Sequence, residues 1–243
     1  MTAPKLSIVI PCRNEAGNLP VLLDEVDAAL AGRDFEIIVV DDGSTDATRD
    51  VLLKRMAAGA GHLRCISHDR SAGQSAALRS GVFAARGEIV LTMDGDGQNN
   101  PTYLGPLADG LVAAGPAVGI AAGQRLKRTD TRPKQLSSRF ANRLRQAILA
   151  DNTRDSGCGL KAVRTDLFRS LPFFDGWHRY LPALVLREGF GAVHIDVVDR
   201  SRRHGKSNYG ILDRGLRGIL DLFGVWWLRR RRKVLPVVTE RQP

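Results

Sequence analysis

The stretch LTMDGDGQNNP (91–101) places Asp94, Asp96 and Gln98 two residues apart at the end of an apolar run. In extended backbone, residues at i and i+2 share a face. Both carboxylates can therefore converge on one hard cation, Mg2+ or Mn2+, with the Gln98 amide oxygen beside them and positions left open for phosphate oxygens. Gly95 and Gly97 let a ligand approach the backbone closely. The same composition also suits a plain turn after a strand. VVDDGSTD (39–46) repeats the pattern, with Asp41, Asp42, Gly43 and Ser44 ahead of a helix whose N-terminus attracts anions. Ser44 or Asp46 could equally serve as the cap of that helix. The first strand carries no G-x-G-x-x-G, and no G-x-x-x-x-G-K-[ST] occurs, which disfavours dinucleotide redox chemistry and P-loop phosphoryl transfer. What remains is a nucleotide bound through acids on its sugar and a metal on its phosphates.

These residues need a frame. Apolar runs at 6–11, 35–42, 63–67, 88–94 and 117–123 read as strands, and their near-continuous apolar character fits a mostly parallel sheet covered on both faces. Amphipathic stretches at about 18–31, 45–58, 73–86 and 101–114 read as helices, with Asn18 before Pro20 and Asn100 before Pro101 as start signals. The alternation predicts an α/β layered domain. In such sheets ligands gather at the carboxyl ends of the strands. PCRNE, DDGSTD, SAGQS and DGDGQ follow four consecutive strands there. Further on, helices are expected over 133–149 and 177–188, strands over 156–164 and 191–200, and a last helix over 209–228. No internal repeat or low-complexity linker divides the core, so the reading is one domain over 1–208 and a basic segment over 209–243.

Length and composition fit this frame. The chain has 243 residues with 43% hydrophobic and 26% charged, enough for a packed core. Cys12, Cys65 and Cys158 form no CxxC pair, so neither a zinc ribbon nor a disulfide framework is indicated. The formal charge is +10, and from Arg200 onward Lys and Arg outnumber acids twelve to three. A basic tail on a near-neutral body points to a localised anionic partner and not to nucleic acid. No apolar run approaches the roughly 20 residues that cross a bilayer, and the N-terminus lacks a signal-peptide core. A cytoplasmic protein is expected.

SIVIPCRNE, EIIVVDDGSTDAT, SAGQSAALRSG and IVLTMDGDGQNNP resemble successive signatures of family 2 glycosyltransferases, in order and at their usual spacing. Within that family the chain is most similar to the dolichol-phosphate mannosyltransferase type, through AGQR (122–125), SSRFANRL (137–144), DSGCGLKAVRTDLF (155–168) and RRHGKSNYG (202–210). The resemblance covers about 5–215. It implies a GT-A fold, a nucleoside-diphosphate sugar donor of GDP-mannose or UDP-glucose type, inversion at the sugar carbon, and a polyprenyl phosphate acceptor. By the same resemblance Pro11, Arg13 and Glu15 line the base and ribose pocket, and Asp42 and Asp94 also contact the nucleoside. Asp96 and Gln98 are the metal ligands, supported by Asp94. Arg125, Arg139 and Arg202 gather the donor and acceptor phosphates, with Ser207 beside Arg139 and Arg202 on the acceptor side. Asp155 is matched to the acceptor pocket, where a capping role is the alternative. Arg13 stands where the family has an aromatic or small residue, which leaves the base open.

The acceptor can be read from what is missing. A hydroxyl acceptor needs a carboxylate to take its proton, and FFDGWHRYLPAL (173–184) offers Asp175 alone, without the acidic pair of sugar-acting members. A lipid monophosphate is already ionised near neutral pH and needs arginines to cradle it, which the basic loop Arg200–Lys206 could supply. In the tail, Leu212, Leu216, Ile219, Phe223 and Trp226 follow helical spacing, broadened by Leu220 and Trp227, ahead of RRRRK. This suits a helix lying at the membrane interface, or one packed on the core or in a dimer seam. The expectation is peripheral attachment to the inner face of the membrane through 209–233, alone or with a separate integral membrane partner. A hydroxyl acceptor on a glycan or glycolipid is the second reading, and a basic adaptor without catalysis the third.

Overall fold

The computed structural model describes residues 4–126, 145–200, 211–232 and 239–240, with side chains of 211–217 excepted. Seven strands form one sheet: β1 (Leu6–Cys12), β2 (Phe35–Asp41), β3 (Leu63–Ser67), β4 (Ile89–Thr92), β5 (Val118–Arg125), β6 (Lys161–Arg164) and β7 (Gly191–Val197). Their order is β3-β2-β1-β4-β6-β5-β7. All pairings are parallel except those of β6, which runs antiparallel to both β4 and β5. The sheet is thus mostly parallel, as the apolar runs imply.

Alternation along the strands divides the core in two. Ile8, Ile10, Ile37, Val39 and Leu91 face α1 (Leu19–Ala29), α2 (Thr48–Ala57) and α4 (Leu104–Ala113). Val9, Ile38, Val40 and Val90 face α3 (Gln74–Ala84), α5 (described over 145–149), α6 (Thr165–Ser170), α7 (Leu181–Arg187) and α8 (Ile211–Arg230). Each such fully buried aliphatic side chain contributes roughly 1.5–3 kcal/mol. Gly81 lets α3 approach most closely, since a Cβ there would collide with the Val9 side chain.

Several boundaries differ from the sequence expectation for identifiable reasons. The helix expected from 101 begins as a 3-10 turn over Pro101–Tyr103, capped by Asn100 Oδ1, which accepts from the Thr102 N–H at 3.2 Å, and only then becomes α4. The strand expected over 156–164 contracts to β6, because Asp155 Oδ1 accepts the Gly157 N–H and turns the chain. α6 follows β6 without a break and is too short for periodicity to reveal. Of the helix expected over 133–149, only 145–149 lies within the described residues.

α8 packs on the body through Leu222 and Val225, which the periodicity did not select, and through Trp226, which it did. Leu222 and Val225 are buried in the second core and Trp226 packs against it, while the Tyr180 hydroxyl donates to the Gly218 carbonyl at 3.1 Å. Ile219, Leu220, Phe223 and Trp227 from the expected stripe remain more than half exposed. The side chains of Leu212 and Leu216 lie outside the described set. No helix among the described residues is long and apolar enough to cross a membrane.

Candidate active site

In the order β3-β2-β1-β4, chain connections diverge to either side between β1 and β4, where open α/β sheets form a crevice at the strand ends. A cavity of about 350 Å³ opens there. Pro11 from the end of β1, Asp94 after β4 and Arg125 at the end of β5 line it, joined by Gln74, Lys161 and His178. Of the donor and phosphate residues read from the sequence, Pro11, Asp94 and Arg125 therefore come together. Asp96 and Gln98 adjoin them in the loop after β4, where Asp96 Oδ1 accepts the Gln98 N–H at 3.0 Å. Arg139, Arg202 and Ser207 lie outside the described residues.

Asp94 is the electrostatic focus. Its Oδ1 accepts from Gln74 Nε2 at 2.7 Å, and its backbone N–H donates to Asn99 Oδ1 at 2.9 Å. Burial, with Asp96 adding like charge, pushes its carboxyl up to about 6, against the pull of Lys161. The 158–160 backbone closes over it: a Cβ at Gly159 would sit 2.6 Å from Asp94 Oδ2 and 2.5 Å from Asn99 Oδ1. A carboxylate whose charge is disfavoured in this way is relieved by a divalent cation. Among the described residues no group of three or more His, Cys, Asp or Glu is placed to hold a metal. A cation held by Asp94, Asp96 and the Gln98 amide would thus need ligand oxygens from a substrate.

Cations surround the acids. Arg125 makes a two-pronged pair with Asp155, Nε to Oδ2 at 2.5 Å and Nη2 to Oδ1 at 2.9 Å, and reaches Asp199 at 3.3 Å. Asp155, first through its hydrogen bond, raises the Arg125 pKa further and keeps it charged. Lys161 donates to the Cys158 carbonyl, and burial pulls its pKa down, opposed by nearby Asp94 and Asp155. His178 shares a 2.8 Å hydrogen bond with Ser75 Oγ and is held neutral, with burial pulling its pKa to about 3.

The remaining donor residues build loops beside the cavity without lining it. Arg13 is exposed. Glu15 accepts from Asn18 Nδ2 at 2.5 Å, and its backbone N–H donates to Thr48 Oγ1 at 2.8 Å. Asn14, at φ 58°, donates from its backbone N–H to Ser44 Oγ at 3.0 Å and accepts from the Thr45 N–H at 2.8 Å, so the loops after β1 and β2 interlock. Asp46 Oδ1 accepts the Thr48 N–H at 2.9 Å just ahead of α2, but the cap position of that helix is Ala47, so neither Ser44 nor Asp46 is its cap. The Asp42 carboxylate is filled internally by His68 Nδ1, Ser71 Oγ and the N–H groups of Ala72 and Gly73, all at 2.7–2.9 Å. Burial acts to raise its pKa, but these hydrogen bonds outweigh it and the pKa is lowered. Arg200 pairs with Glu25 at 2.7 and 2.9 Å and its N–H donates to the Gln98 carbonyl at 2.8 Å. Its Nη2 also donates to the Asn99 carbonyl at 3.1 Å, so the side chain ties α1 to the loop after β4.

Sequence reasoning passed over Gln74, Asn99, Lys161 and Asp199. Gln74 and Asn99 were within reach, in the rim motif SAGQS and directly after Gln98. Lys161 opens its strand, and the antiparallel β6 brings it opposite Thr92 at the end of β4.

The chain matches Glycosyl transferase family 2 over residues 7–171. It is 34% identical over 235 residues to dodecaprenyl-phosphate galacturonate synthase of Rhizobium johnstonii, covering 93% of this chain and 68% of that protein. It is 31% identical over 210 residues to undecaprenyl-phosphate 4-deoxy-4-formamido-L-arabinose transferase of Klebsiella pneumoniae, covering 86% of the chain and 63% of that protein. The chain thus spans about two thirds of the length of these relatives. Among solved structures, mannosyl-3-phosphoglycerate synthase from Rubrobacter xylanophilus superimposes with TM-score 0.71 at 22% identity, covering 99% of this chain and 79% of that one. Glucosyl-3-phosphoglycerate synthase from Mycobacterium tuberculosis, in complex with Mn2+, UDP and phosphoglyceric acid, gives 0.69 at 21%, covering 95% and 80%. The fold is the GT-A fold of these glycosyltransferases, and the chain belongs to glycosyl transferase family 2.

Proposed function

We propose that this protein transfers a sugar, with inversion, from a nucleoside diphosphate to a polyprenyl phosphate at the inner face of a membrane. The observation that carries this reading is the rim between β1 and β4, where the destabilised Asp94 carboxylate and fixed cations meet over one cavity. The two relatives named above, dodecaprenyl- and undecaprenyl-phosphate sugar enzymes by name, support the acceptor class. Pro11, Arg13, Glu15 and Asp42 are assigned to the nucleoside side, directly or by shaping its loops. Asp94, Asp96 and Gln98 are assigned to Mg2+ or Mn2+, and a cation there would neutralise the departing diphosphate.

In the reaction, an acceptor phosphate oxygen forms a bond to the anomeric carbon as the bond to the nucleoside diphosphate breaks. An acceptor already ionised needs no proton removed, and among the described residues Asp94 is the carboxylate that lines the cavity. Asp175, the candidate base for a hydroxyl acceptor, is exposed and does not line the cavity. Arg125, held charged and oriented by Asp155, positions phosphate, and Arg139, Arg202 and Ser207 are assigned to the acceptor side. The exposed stripe of α8 and Arg229–Arg232 supply the attachment to lipid, alone or beside a separate integral membrane partner.

Labelled UDP- and GDP-sugars incubated with polyprenyl phosphate are expected to give an acid-labile glycolipid with Mg2+ or Mn2+ and none with chelator. No product with any common donor overturns the reading. Product formed only with hydroxyl-bearing glycans transfers the assignment to the second acceptor class.

A further inference from the structure

The two helical layers finish differently at solvent. Every exposed aromatic side chain among the described residues, Phe83, Phe173, Phe223 and Trp227, lies on the α3/α6/α7/α8 side or the loop joining it. The α1/α2/α4 layer exposes isolated aliphatics only, Val21, Leu53 and Val112. On the aromatic side, arginines are laid over the rings: Arg79 lies 4.8 Å from the centroid of Phe83 and 5.0 Å from that of Phe173. The same pairing recurs on α8, with Arg230 at 4.4 Å from Trp226 and Arg231 at 5.8 Å from Trp227.

The two clusters adjoin. Three residues after Phe173, Gly176 meets Asp221 of α8, and a Cβ there would sit 3.0 Å from its Oδ2. α3 carries Arg79 and Phe83 one turn apart on its outer side, and the same helix begins at Gln74, the hydrogen-bond partner of Asp94. At 1.5 Å per residue Arg79 and Phe83 lie about 8 and 14 Å along α3 from Gln74. Arg79 has no carboxylate partner among the described residues, and the acid nearest in sequence to Phe173 is the exposed Asp175. Aromatic rings under arginines suit the boundary of an anionic bilayer, where rings sit among headgroups and guanidinium groups meet phosphates.

We infer that Arg79, Phe83 and Phe173 form a second contact of the catalytic domain with an anionic phospholipid surface, beside the exposed stripe of α8. A helix alone leaves the body free to pivot. A second contact on α3 fixes the tilt and holds the cavity at a set distance from the lipid. This inference rests on the membrane attachment proposed above, but not on the sugar transfer.

The test uses the full 243-residue chain and vesicles of phosphatidylglycerol with phosphatidylethanolamine. R79S/F83S is expected to weaken vesicle binding about tenfold, from one basic residue near an anionic leaflet and one exposed ring. F83W is expected to bind at least as tightly as the parent chain. Both should melt as the parent does, since neither position is buried, and both should bind nucleotide unchanged. Vesicle binding by R79S/F83S equal to the parent's overturns the inference, as does a parent chain that ignores these vesicles. So does a loss of self-association in R79S/F83S in place of a loss of vesicle binding. Transfer to a short, water-soluble prenyl phosphate separates the two readings. Its absence in the parent removes the proposed reaction, whereas weakened vesicle binding by R79S/F83S still supports the lipid contact.

Discussion

β2 and β4 both run into closely spaced acids, Asp41-Asp42 and Asp94-Gly95-Asp96, and the fold answers the two in opposite ways. The Asp42 carboxylate is surrounded by four donors from the 68–73 loop, which lower its pKa. Asp41 is fully buried, accepting the Ser44 N–H at 2.9 Å and meeting Arg49 at 3.4 Å. At Asp94 the surroundings push the carboxyl to about 6, and the Gln74 amide donates to it. One doublet ties loops together; in the other, burial disfavours the charge of Asp94. Acid spacing alone does not separate the two environments; the internal donors do.

That contrast can be broken at several points. Asp96→Ala is expected to lower transfer on the order of 10³-fold, the scale of losing an electrostatic contact to a developing anion. Its thermal midpoint should stay level, as measured by melting without substrate. A stable Asp96→Ala enzyme with full turnover would remove the metal assignment. Gly159→Ala should displace Asp94 and Asn99 and reduce turnover about 10²-fold, the scale of a misplacement near 1 Å. Steady-state kinetics across a metal titration would show it as a weakened metal response.

Asp42→Ala is expected to cost about 3 kcal/mol of stability, since buried donors lose a charged partner. Urea unfolding measures this, and here the loss of activity should follow the loss of fold. The linkage has a definite sign. With the Asp42 pKa lowered in the folded state, its contribution is present above the ordinary carboxylate pKa. It fades as pH falls through the lowered value, so Asp42→Asn and the parent should converge in stability at acid pH. The smallest change is Ser44→Ala, which removes one 3.0 Å bond between the β1 and β2 loops and is expected to cost about 1 kcal/mol.

Much of this architecture was legible in the residues. Ile8–Ile10 and Ile37–Val40 advertise strands buried on both sides, and Asn100-Pro101 marks its helix start. The rim was legible because parallel strands all exit on one side, so PCRNE and DGDGQ had to meet. Lys161 was not, because nothing local says that β6 is inserted antiparallel; that is settled by packing against β4 and β5. Asp199 was hidden for a related reason, since its partners Arg125 and Asn99 are 74 and 100 residues away. Part of the buried face of α8 escaped too. Leu222 and Val225 fall between the residues of the more regular stripe, and only contact with α7 distinguishes the two faces.

The reversed direction of β6 has a further consequence for how the rim can evolve and move. A loop that leaves a strand can lengthen without disturbing the strand behind it. The 156–160 segment instead leads into a strand, with Thr92 Oγ1 donating to the Gly159 carbonyl at 2.6 Å and the Gly123 N–H donating to the Leu160 carbonyl at 2.9 Å. Insertions there would be transmitted into the register of β4, β6 and β5 together. This wall of the cavity should therefore tolerate exchange of side chains but resist changes in length, and variety in substrate is left to the neighbouring walls.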